Sequence, residues 1–99
     1  MIVEVVNEVN GRRVRVNAVV NGSMHTVLPR GIAVELGLGT VGVADVGTCC
    51  SIAKVNYGYA SLAVNGRLIH TRVLITDDVD KVVIGIIDLE KLLSDVGIE

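Results

Sequence analysis

Apolar and polar residues alternate along much of this chain. Val14, Val16 and Ala18 alternate with Arg13, Arg15 and Asn17, the period of a strand with one wet face. Asn10-Gly11 joins the apolar run Ile2–Val9 to Arg12–Val20, and Asn65-Gly66 joins Ala60–Val64 to Arg67–Ile75. Asn-Gly between such runs predicts a hairpin, because both residues tolerate positive φ. The period changes in two places. Pro29–Leu36 predicts a short helix, with Pro29 suited to an early position and Gly37 to the C-cap. Asp88–Ser94 predicts a second helix, with Asp88 as its cap and Leu89, Leu92 and Leu93 on one face.

The pattern repeats weakly. Val9-Asn10-Gly11-Arg12 recurs as Val64-Asn65-Gly66-Arg67. Each copy leads into an apolar strand, then a tight turn, then a short helical segment. Between the copies lies Gly39–Tyr59, where Gly39, Gly42, Gly47 and Gly58 loosen the backbone.

Composition agrees with a β-rich reading. Val supplies about a fifth of the 99 residues, and there is no Trp or Phe. β-branched residues favour pleated, half-buried surfaces. The length predicts one domain, residues 1–99. Mean hydropathy is +0.59, an aliphatic excess that suggests apolar surface buried between subunits.

The formal charge is −2 and the pI about 5.6. With no basic run or aromatic cluster, a nucleic-acid partner is not expected. No apolar stretch approaches a helical membrane span. Met1-Ile2-Val3-Glu4 shows neither a basic n-region nor an apolar h-region, so the cytoplasm is the default location. Cys49 and Cys50 are neighbours and form no disulfide framework. Reduced thiols are expected there, since a vicinal disulfide would be strained. His25 and His70 show no ligand spacing with them, and neither a metal nor a cofactor is expected. Asp77, Asp78 and Asp80 read as a solvated turn, with a metal site as the alternative.

Ala18–Leu38, AVVNGSMHTVLPRGIAVELGL, resembles the retropepsin-like aspartic proteases. Thr26-Val27-Leu28-Pro29 and Glu35-Leu36-Gly37-Leu38 stand where that family has its strand and helix after the catalytic loop. Val82-Val83-Ile84-Gly85 followed by Leu89-Glu90-Lys91-Leu92 is similar to its second conserved segment. The resemblance implies a mostly β, closed acid-protease barrel with one or two short helices, a flap hairpin and a homodimer. Ile2–Val6 and Val96–Ile98 would interleave between subunits. Ala44-Asp45-Val46-Gly47 looks like the flap turn.

Counting back from Pro29 puts Val20 where the family's catalytic Asp belongs, with Asn21 and Gly22 completing the triplet. Two carboxylates sharing a proton do the family's chemistry. Valine can neither accept nor donate one, so no catalytic residue is assigned. The resemblance implies a cleft and flap formed by Gly22, Ser23, Ala44, Asp45, Gly47, Ile84 and Gly85. The expected function is a non-proteolytic homodimer that binds an extended peptide or protein, or serves for dimerisation. The alternative is a divergent peptidase with a relocated carboxylate. Asp88 arrives one place after the family's second-motif position, and Asp45 would sit on the flap.

Overall fold

The computed structural model describes residues 1–47 and 50–93. Its elements run β1 (Ile2–Val6), β2 (Arg13–Asn17), β3 (Thr26–Pro29), α1 (Arg30–Leu36), β4 (Gly42–Gly47), β5 (Ile52–Val64), β6 (Arg67–Thr76) and α2 (Ile86–Leu93). Six strands form one sheet in the order β2-β1-β5-β6-β3, with β4 paired to β5 off that path.

Both Asn-Gly hairpins form, with different turns. At Asn65-Gly66 the two residues make the whole connection, since Val64 pairs with Arg67. Their φ values of 50° and 83° suit a two-residue primed turn. Asn10-Gly11 sits instead in a longer loop, because pairing between β1 and β2 stops at Val6 and Arg13. That loop has a second task. The Asn7 and Asn10 side-chain amides donate to the Leu36 carbonyl at 3.0 and 3.1 Å, satisfying the end of α1. Helix α1 closes on Gly37 at φ 71°. Gly37 N–H reaches Val34 O and Leu38 N–H reaches Ala33 O, the Schellman pattern that only an αL residue permits cheaply.

The long strand β5 organises the sheet. Its first half pairs with β4 and its last residues with β1 along one edge, while β6 runs along the other. The inward residues of these strands make the core. Val3, Val5, Leu28, Leu36, Leu62, Val73 and Ile84 are all fully buried.

The expected closed barrel does not form. The ends of the sheet, β2 and β3, meet through isolated bridges rather than a ladder. Val83 bridges Val19 in parallel and Val27 antiparallel. Closure by a ladder needs a strand in the gap. Only residues 82–84 lie there, between the turn after β6 and the start of α2.

These bridges reveal the internal repeat more clearly than the sequence does. Val27 and Val83 exchange two backbone hydrogen bonds, at 2.8 and 2.9 Å, as residues across a local two-fold do. They stand 56 positions apart, as do the first residues of the two helices, Arg30 and Ile86. Strand β3 runs parallel beside β6, and residues 82–84 run parallel beside Val19. Each half thus sends a short strand through the other before turning into a helix.

Much of the N-terminal strand is already paired within the subunit. Glu4, Val5 and Val6 are paired to β2 on one side and β5 on the other. Those three residues, with both edges occupied, have no edge left to offer a partner strand. Val96–Ile98 lies outside the described residues.

Candidate functional site

The crossing of the two halves positions the loop Val20–His25. Val19 is held by Val82 O and Ile84 N at 2.9 Å each, and Ser23 O accepts from Ile86 N–H at 2.8 Å. Inside the loop Asn21 Oδ1 accepts from Ser23 N–H at 3.1 Å, and Ser23 Oγ donates to His25 O at 2.9 Å. Gly22 takes φ 89°, a conformation L side chains rarely adopt. Gly85 is the most closely packed of the described glycines. A Cβ there would lie 2.5 Å from both Met24 O and His25 C and 2.7 Å from Thr26 N. Ile84 thus lies beside Val19, Gly85 against Met24, His25 and Thr26, and Ser23 against the start of α2, with Gly22 next to Ser23 in the loop.

Large apolar side chains stand half exposed around the loop, beside the exposed Asn21. Val20 is 46% exposed, Met24 55% and Ile87 46%. Residues Val20 to His25 include no carboxylate.

Asp88 is not the helix cap. It lies in the first turn of α2, which begins two residues earlier at Ile86, and it is buried at 5% exposure. Thr26 Oγ1 donates to its Oδ2 at 2.6 Å, and Thr71 Oγ1 to its two oxygens at 2.9 and 3.0 Å. The Thr26 hydroxyl in turn accepts from Gly85 N–H at 3.0 Å. One carboxylate thus ties β3, β6 and α2 together at the crossing. The carboxylate is engaged by both hydroxyls and nearly closed to solvent. Sequence reading missed the two threonines. The signal was a hydroxyl at Thr26 in an otherwise apolar strand.

Ala44, Asp45 and Gly47 are not in a turn. They lie within β4, paired in register with Val55, Lys54 and Ile52. Asp45 Oδ1 meets its cross-strand neighbour Lys54 Nζ at 2.9 Å, both exposed. Residues 48–51 connect β4 to β5, and Thr48 and Cys49 lie outside the described residues. Cys50 is exposed. Asp77 pairs with Arg30 at 3.0 Å on the surface, and Asp78 and Asp80 are exposed.

A second constellation escaped the sequence reading. Ser61 Oγ lies 2.6 Å from His70 Nδ1, and Glu8 Oε2 lies 3.9 Å from the same nitrogen. They border a surface cavity of about 440 Å³. This is not a nucleophilic triad. The acid and the hydroxyl meet one ring nitrogen, whereas a relay needs both, and Ser61 is only 1% exposed. The two-residue turn at Asn65-Gly66 sets Ser61 opposite His70, so counting back along the hairpin would have found the pair.

The sheet, the crossing and the paired helices are those of the retropepsin-like acid-protease fold. A solved structure described as EIAV protease complexed with the inhibitor HBY-793 superposes with a TM-score of 0.66, covering 100% of this chain and 88% of that one. The two are 19% identical, so the likeness is one of fold. No protein-family model and no curated protein matches the sequence.

Proposed function

We propose that this protein is a non-proteolytic relative of the retropepsin-like proteases, acting as a homodimeric module that holds an extended peptide or protein segment. The observation that carries the reading is the loop after Val19. By the sequence resemblance it stands for the family's catalytic loop, and it carries Val20 and Asn21 where an acid would be needed. General acid–base catalysis requires a positioned titratable group. The two relocated candidates give no support to a peptidase. Asp88 is buried and engaged by two threonines, and Asp45 is paired with Lys54 on an exposed strand.

Dimerisation is supported by the half-exposed Val20, Met24 and Ile87 around that loop. The partner surface is assigned to this loop face rather than to Ile2–Val6, where Glu4, Val5 and Val6 have both edges occupied. The outer edge of β4 carries no strand partner among the described residues. It offers backbone groups to an extended ligand, which is how sheets recognise peptides.

Sedimentation equilibrium tests the reading. The expected mass is twice the 10.5 kDa of one subunit, returning toward the monomer in Ile87→Asp. A monomer at all micromolar concentrations would refute the dimer. Cleavage of unfolded polypeptide by the parent, abolished in Asp45→Asn, would refute the non-proteolytic assignment.

A further inference from the structure

We propose that Asn21 is a site of spontaneous deamidation, singled out from the three Asn-Gly pairs by the fold. The reaction needs only water. The Gly22 nitrogen gives its proton to a solvent base and attacks Asn21 Cγ, putting negative charge on Oδ1. The bond from Cγ to Nδ2 then breaks, and the nitrogen leaves as ammonia after taking a proton from water. Hydrolysis of the resulting five-membered imide opens it to aspartate or isoaspartate.

Three features decide the rate, and the three pairs differ in them. The attacking nitrogen must be free of a competing hydrogen bond. The side-chain amide nitrogen must be free to leave. A donor on Oδ1 stabilises the charge that develops there. At Asn10 the first two conditions fail. Gly11 N–H donates to Asn7 O at 2.8 Å, and the Asn10 amide nitrogen is tied to Leu36 O at 3.1 Å. At Asn65 the side-chain amide has neither an acceptor for its nitrogen nor a donor to its Oδ1 among the described residues. At Asn21 all three conditions hold. Among the described residues no acceptor takes the Gly22 N–H and none takes the Asn21 amide nitrogen, while Ser23 N–H donates to Oδ1 at 3.1 Å. Asn21 and Gly22 are both exposed, so water reaches them.

The product places a carboxylate beside Val20, in the very loop that lacks one. Its effect on the dimer rests on the reading above; the modification itself does not.

The test is ageing of the intact protein at mildly alkaline pH, followed by tryptic mapping with mass spectrometry. Cleavage after Arg12, Arg15, Arg30, Lys54 and Arg67 puts the three Asn-Gly pairs on separate peptides, and fragmentation locates the change. Asn21 is expected to convert about fivefold faster than Asn65, the ratio one net hydrogen bond of about 1 kcal/mol gives, with Asn10 slowest. In concentrated urea the three rates should converge. Asn65 converting as fast as Asn21 in the folded protein would overturn the proposal. So would the same rate ratio persisting in urea, since local sequence and not the fold would then set it.

Discussion

Replacing Asp88 by Ala should damage the fold out of proportion to its size. The carboxylate accepts from two hydroxyls, Thr26 at 2.6 Å and Thr71 at 2.9 and 3.0 Å. Hydrogen bonds to charged groups contribute about 1.5–3 kcal/mol each, a figure already net of desolvation. The lower value suits this site, because Thr71 divides one proton between two oxygens. The pair is then worth about 3 kcal/mol. Loss of a negative charge from the first turn of α2 adds about 0.5 kcal/mol, and the better helix propensity of Ala returns about as much. The expected cost is therefore about 3 kcal/mol, a large share of a small domain's stability. Asp88→Asn keeps one acceptor for Thr26 and can donate to the Thr71 oxygen, so it should cost only about 1 kcal/mol. Urea unfolding followed by circular dichroism, with the slope checked for constancy, measures both. A cost below about 1 kcal/mol for Asp88→Ala, or equal costs for the two variants, would show that the carboxylate is not what ties the three elements.

Gly85→Ala should destabilise by about 1–3 kcal/mol or more, because its Cβ meets backbone that cannot yield, whereas Gly31→Ala, in open space on α1, should stabilise by about 0.5–1 kcal/mol; thermal melts of the two variants check the contrast. Deleting residues 1–5 removes β1 with Val3 and Val5, both 0% exposed, at about 1.5–3 kcal/mol each, so circular dichroism should show loss of folded structure and not merely a weaker dimer. In Val20→Asp with Asn21→Thr, the proposed dimer brings two carboxylates together in apolar surroundings, which raises one pKa above the unfolded value of about 3.9. The folded state then holds a proton that the unfolded state has released, so the added stability is present at low pH and lost as pH rises through the raised pKa. Unfolding free energies of the double mutant minus the parent should fall between about pH 4 and 7, and a flat difference would remove Val20 from the dimer axis.

What the sequence determined by itself was local. The alternation of Val14 and Val16 with Arg13 and Arg15 survives as a half-buried edge strand, because period two is a property of the extended backbone. The turn at Asn65-Gly66 and the αL closure of α1 at Gly37 were legible for the same reason: φ > 0 is a demand on single residues, and few residue types meet it. The retropepsin-like frame was legible too, through motifs carried at the right separations. What only the tertiary structure decided depends on partners distant in the sequence. Asp88 sits before an apolar helical run and reads as a cap, yet its partners Thr26 and Thr71 lie 62 and 17 positions away. Ala44–Gly47 reads as a turn, yet cross-strand pairing with Ile52–Val55 draws it into a ladder. Ile2–Val6 reads as a strand free for a partner subunit, yet β5 closes the second edge of Glu4, Val5 and Val6. The barrel stays open because the space between β2 and β3 receives only the three residues around Val83. Backbone hydrogen bonds will be satisfied by whichever neighbour the fold supplies, and no local pattern names that neighbour.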